Sequence, residues 1–105
     1  ITEANKINHN IRPLIRVMKY WNVLNGKPYA SYELEQKIAN IPFWYSKNLE
    51  ECFYVFVEAL IPEYSMSQSK KNAVNKLKNA ARQAQYYKHM GWDGLAENEI
   101  QTLFK

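Results

Sequence analysis

The chain has 105 residues, 47% apolar and 23% charged, with a net charge of +4. That make-up fits one globular domain and excludes a disordered segment, and no run nears the ~18 apolar residues of a membrane span. Three glycines argue against a sheet protein; the charge leans towards anionic partners, and a lone cysteine, Cys52, excludes an internal disulfide and points to a reducing, cytoplasmic setting.

Residues 1–10 are polar with weak periodicity, a lead-in in which Asn8 or Asn10 caps the helix that follows. Pro13, tolerated in a first turn, puts that helix's start near Asn10, and Asn25-Gly26 ends it. Between them runs IRPLIRVMKYWNVLN. At about 100° per residue, Leu14, Met18 and Trp21 share one side, Ile11 and Ile15 flank it, and Val17 and Leu24 lie across the axis. A helix so apolar is expected to be buried. Its single polar stripe carries Arg12, Arg16 and Lys19 at i, i+4 and i+7, and no Asp or Glu stands three or four places from Arg16 or Lys19. Cations so placed require water, a carboxylate from elsewhere, or a bound anion. A guanidinium fork and an ammonium on one face suit a polyphosphate. On spacing alone, a solvated face or interdomain salt bridges is the more economical account.

Lys27 to Ala30 form a connector, after which Ser31 has the character of an N-cap for a short helix over residues 32–40, with Leu34 and Ile38 on one face. Pro42 stops it and Phe43-Trp44-Tyr45 make an aromatic loop. Tyr32 could stack on a base, and a core-edge tyrosine beside a capping serine is the plainer alternative. Asn48 with Glu51 resembles a capping box before the clearest helix, residues 49–60, in which Leu49, Cys52, Phe53, Phe56, Val57 and Leu60 repeat at 3-1-3-1-3. Cys52 on that face reads as a buried, inert thiol.

Ser67 or Ser69 then caps a long helix over residues 72–90, with a stripe of Ala73, Leu77, Ala80, Ala84 and Tyr87. Gly91 ends it, and a last amphipathic segment carries Leu95, Ile100, Leu103 and Phe104. The sum is an all-α single bundle of about five helices. The run from Lys70 to Lys88 contains no acid and ends in Tyr86-Tyr87, which suits single-stranded nucleic acid or a solvated face. Arg82 and His89, six residues between them, look like the Arg-x4-6-His motif of HEPN ribonucleases, also small helical bundles; the pair is as readily an ordinary same-face i, i+7 spacing. Glycine-rich phosphate loops, zinc spacings and a close acid pair for Mg²⁺ are all missing, so neither a catalytic nor a metal residue is expected in this chain.

The order of motifs says more than any one of them. IRPLIRVMKYWN, a proline-containing connector and then SYELE resemble the start of the C-terminal helical domain of template-independent nucleotidyltransferases. These are the oligoadenylate-synthase and cGAS/DncV-like enzymes of the DNA polymerase β superfamily. Their signature runs R-P-L-[IV]-R-L-[LIV]-K-x-W, then [SQ]-Y-x-[LI]-E, and the likeness covers residues 11–35. It implies that Arg16 and Lys19, aided by Arg12, contact a nucleoside triphosphate such as ATP, that Ser31 and Tyr32 line the base or sugar pocket, and that Trp21 and Glu35 are structural. It also implies that residues 1–105 form a C-terminal helical domain. The partner would be an N-terminal catalytic half, absent from this chain, whose carboxylates hold Mg²⁺. The opening on Ile1 and the close on Phe104-Lys105 fit a piece of a longer chain.

Overall fold

Side-chain caps set the starts of two helices and glycines the ends of two. The computed structural model describes residues 9–43, 46 and 48–104. Its order is α1 (Ile11–Leu24), α2 (Ser31–Ala39), α3 (Leu49–Ala59), α4 (Gln68–His89), α5 (Asp93–Gln101) and a closing 3-10 turn (Thr102–Phe104). The protein is therefore an all-α bundle of five helices, with no strand among the described residues. Asn8, Trp44 and Tyr45 lie outside the described residues.

Asn10 opens α1 through its backbone carbonyl, which accepts the Leu14 N–H at 3.0 Å. Gly26, at φ +77°, closes it and lets the Lys27 N–H reach the Asn22 carbonyl at 2.8 Å; this left-handed turn satisfies a carbonyl that a helix end leaves orphaned. Asn48 caps α3 by accepting the Glu51 N–H at 2.9 Å. Ser67 caps α4 by accepting the Lys70 N–H at 3.3 Å. Gly91, at φ +81°, ends α4 with a paired closure, its own N–H on Lys88 O at 3.0 Å and that of Trp92 on Tyr87 O at 2.8 Å.

Around α1 lie α2, α3 and the 3-10 turn, while α4 packs on α3 and α5. The extents, 34 × 34 × 20 Å, give a body two helices thick, since a helix with its side chains is about 10 Å across. Trp21, Leu14 and Met18 of α1 join Leu34 and Ile38 of α2, Cys52, Phe56 and Val57 of α3, and Val74 and Leu77 of α4 in one core. Ala80, Ala81 and Ala84 are buried on α4, and their small side chains let neighbouring helices approach closely.

Among the described residues one polar side chain is buried outright. Asn22 has no exposed surface; its Nδ2 donates to the Tyr29 carbonyl at 2.6 Å and its Oδ1 accepts the Tyr29 N–H at 3.1 Å. This two-way bond ties the α1–α2 connector back onto α1. Tyr29 in turn donates its hydroxyl to the Ile61 carbonyl at 3.0 Å, joining the connector to the end of α3. Burial, then the charges of Glu63 and Glu33, push the Tyr29 phenol up to about 12 from its ordinary 10. Because the folded value is the higher one, the stabilisation is complete below pH 10 and is lost as pH rises from there through 12. We expect Tyr29→Phe to flatten this alkaline loss of stability, read from urea unfolding at pH 9 and pH 11; an unchanged pH dependence would remove Tyr29 from the account.

Four expectations are corrected. First, α2 begins at Ser31, not after it. Ala30 is the N-cap, in extended conformation, and its carbonyl accepts the Glu33 and Leu34 N–H groups at 3.0 and 3.2 Å. With Tyr29 clamped on Asn22, the chain turns helical one residue earlier, and Ser31 sits exposed in the first turn. Second, α4 starts at Gln68, because the Ser67 cap and a Gln68–Asn72 side-chain bond of 2.8 Å sustain a first turn that lacks apolar positions. Third, Leu95 is exposed, and Ala96 takes the inward position on α5. Fourth, α1 is not submerged all round. Its inner side is sealed, but Tyr20, Val23 and Leu24 are 56%, 61% and 42% exposed.

Candidate functional site

The exposed side of α1 carries the basic stripe. Arg12 and Arg16 are exposed, and neither forms an ion pair with a described residue. Lys19 differs, because its Nζ is bonded to Glu35 Oε1 of α2. The absence of an acid on α1 is therefore made good from the neighbouring helix: of the partners open to the stripe, Lys19 takes a carboxylate from elsewhere in the domain. Residues sixteen apart in sequence meet because Asn22 and Tyr29 fold the connector back and lay α2 against α1. The pair stays open to solvent, with side-chain exposures of 38% for Lys19 and 46% for Glu35.

Tyr32 stands three residues before Glu35, one turn back along α2, and is 64% exposed. Arg16 stands three residues before Lys19. Arg16, Lys19, Glu35 and Tyr32 thus form a continuous path across the α1–α2 seam. Ser31, exposed at the start of α2, borders it. Arg12 extends it by one further turn along α1. What reaches outward here is two guanidinium groups, an ammonium already holding a carboxylate, and a phenol ring.

On its other flank the stripe meets a groove of about 920 Å³, lined by Arg16, Val17 and Tyr20 of α1, Phe53 and Tyr54 of α3, Ile100 of α5 and Phe104. Its floor is apolar and its rim is charged. Tyr54 donates its hydroxyl to Glu50 at 3.0 Å, and burial followed by this bond raises its pKa above the ordinary phenol range. Lys88 bridges Glu50 at 3.5 Å and Asp93 at 4.0 Å. Arg16 therefore borders two surfaces, whereas Lys19 belongs to the α2 side alone.

The basic helix is less free than its sequence implies. Arg82 reaches Glu58 at 3.6 Å, and Lys78 donates to the Glu58 carbonyl at 3.1 Å and to the Leu60 carbonyl. An ammonium on the last carbonyls of α3 completes that helix's C-terminus, where positive charge is favoured. Lys71 lies over the Tyr64 ring at 5.5 Å. The acids absent from α4 are thus supplied by Glu58 and Glu50 of α3 and by Asp93 at the start of α5. Arg82 and His89 are both exposed on α4, and neither lines the groove beside Arg16.

Among the described residues no three His, Cys, Asp or Glu side chains are grouped to hold a metal ion. No helix among the described residues is long and apolar enough to cross a membrane. Compared with known proteins, the chain matches no family model, no curated protein and no solved structure significantly.

Proposed function

We propose that this chain is the C-terminal helical domain of a template-independent nucleotidyltransferase and forms one wall of its nucleotide cleft. The observation that carries the reading is the outward path Arg16–Lys19–Glu35–Tyr32 across the α1–α2 seam, with Arg12 one turn beyond. Sequence order alone placed SYELE after the basic stripe; the fold lays the two side by side. Arg16 and Arg12 offer planar forks to phosphate oxygens, Lys19 a mobile point charge, and Tyr32 a ring face on which a base stacks or a hydroxyl that a sugar meets. The exposed Tyr20, Val23 and Leu24 continue this face with the apolar surface that a second domain would cover. On this reading the domain neutralises and orients a nucleoside triphosphate, and the catalytic carboxylates with their Mg²⁺ belong to an N-terminal partner domain.

Lys19 and Lys76 separate this reading from general basicity. Lys76 stands on the exposed side of α4, far along the chain from the seam. In the chain joined to its catalytic half, Lys19→Ala is expected to lower kcat/KM for the nucleotide about tenfold or more, the equivalent of roughly 1.5 kcal/mol for one charge-assisted contact. Lys76→Ala should change it by less than about twofold, as for an exposed charge with no specific partner. Equal losses from the two variants would overturn the assignment.

A further inference from the structure

The Lys19–Glu35 pair does not follow from anchoring α2 to α1, because that seam is already held by buried Leu34, Ile38, Met18 and Trp21 and by the Asn22–Tyr29 clamp. The pair lies at the surface, half open to solvent, where a single ion pair is individually weak and readily exchanged. It is also the point at which the path from Arg16 to Tyr32 is interrupted by a negative charge. Any anion that reaches Lys19 competes with a carboxylate already bound there, and displaced or not, that carboxylate stays close by, since Glu35 is fixed on α2.

We infer that Glu35 is a specificity-determining residue that reserves Lys19 for polyanions long enough to engage Arg16 at the same time; this rests on the nucleotide-wall reading. Arg16 and Lys19 are three residues apart, about 4.5 Å along the helix axis, so a chain of phosphoryl groups offers each side chain its own group, whereas a single one has to be shared between them. A monophosphate at Lys19 exchanges one carboxylate contact for one phosphate contact and meets the displaced Glu35. A triphosphate makes the same exchange and adds the Arg16 fork, which has no acid partner among the described residues. Discrimination between triphosphate and monophosphate therefore comes from the occupant already present, not from the cations alone.

The test uses tripolyphosphate and orthophosphate as probes, titrated at low salt into the 105-residue chain and followed by NMR at the Arg16 and Lys19 side chains and at the Glu35 side-chain carboxyl carbon. Wild type should prefer tripolyphosphate by about tenfold or more, the step expected from one added charge-assisted contact. The Glu35 carboxyl signal should move to its free-carboxylate position as the site fills. Glu35→Gln should bind both probes more tightly, orthophosphate gaining the more, so that the preference shrinks to about threefold or less. If Glu35→Gln does not fold, the wild-type carboxyl signal decides the matter by itself. A tripolyphosphate shift at Lys19 with a static Glu35 signal, or with an unchanged preference in Glu35→Gln, would overturn the inference while leaving the nucleotide wall standing. No shift at either cation would remove both.

Discussion

Trp21→Ala is expected to lose about 3–5 kcal/mol of unfolding free energy. The indole is 1% exposed, and it shares the sealed inner side of α1 with Leu14 and Met18, against α2, α3 and α4. Truncation leaves the largest single void that one substitution could open here, and the surrounding helices relax only in part. For a domain of this size total stability is about 5–15 kcal/mol, so the variant should unfold at a far lower urea concentration. Circular dichroism through a urea titration measures the shift. A loss below about 1 kcal/mol would mean that α1 is not the element the core is built on.

Asn22→Ala ranks next, at about 2–4 kcal/mol. Its effect has a different origin. No large volume is lost; instead the Tyr29 N–H and carbonyl, both bonded to this side chain, are left buried without partners, and each such group costs about 1–3 kcal/mol. Asn22→Asp separates the two bonds. It keeps an acceptor for the Tyr29 N–H, loses the donor to the carbonyl and puts a carboxylate where nothing is exposed, so it should be no more stable than Asn22→Ala. Faster hydrogen exchange at the Tyr29 amide is the accompanying local sign. If Asn22→Asp matched wild type, the side chain would be in water rather than clamped to the connector.

These two neighbours show what sequence patterns carry. Trp21 falls at the i, i+4, i+7 spacing that starts with Leu14 and Met18, and such spacing fixes a core side regardless of its partners. The same holds for the 3-1-3-1-3 repeat of α3, for the caps at Asn48 and Ser67, and for the glycines that close α1 and α4. Asn22 has no such signature. Its partner is the backbone of Tyr29, and a backbone group leaves no mark on residue type. An asparagine on an apolar helix reads as one more polar interruption.

At the candidate site the division is similar. The stripe Arg12, Arg16 and Lys19 was legible because it depends on one helix only. Glu35 as the partner of Lys19 was not, because it depends on the register of α2 on α1, which the buried clamp sets. The same reason applies to the long basic helix, whose counter-charges Glu58 and Glu50 lie on α3. The first turn of α4 was missed because Gln68, Ser69, Lys70 and Lys71 offer no apolar periodicity, only a cap. The outward side of α1 was misread because Tyr20, Val23 and Leu24 are apolar and yet exposed; a second domain is the cover we propose.

The central claim is that a nucleoside triphosphate rests on the α1–α2 seam, and its most direct test is an NMR titration of the isotopically labelled chain with ATP at low salt. The account predicts weak binding, on the order of 1 mM, with the largest shifts at Arg16, Lys19 and Tyr32 and only small ones along α4. Shifts gathered instead on the lysines of α4, or none at the seam at saturating ATP, would contradict it.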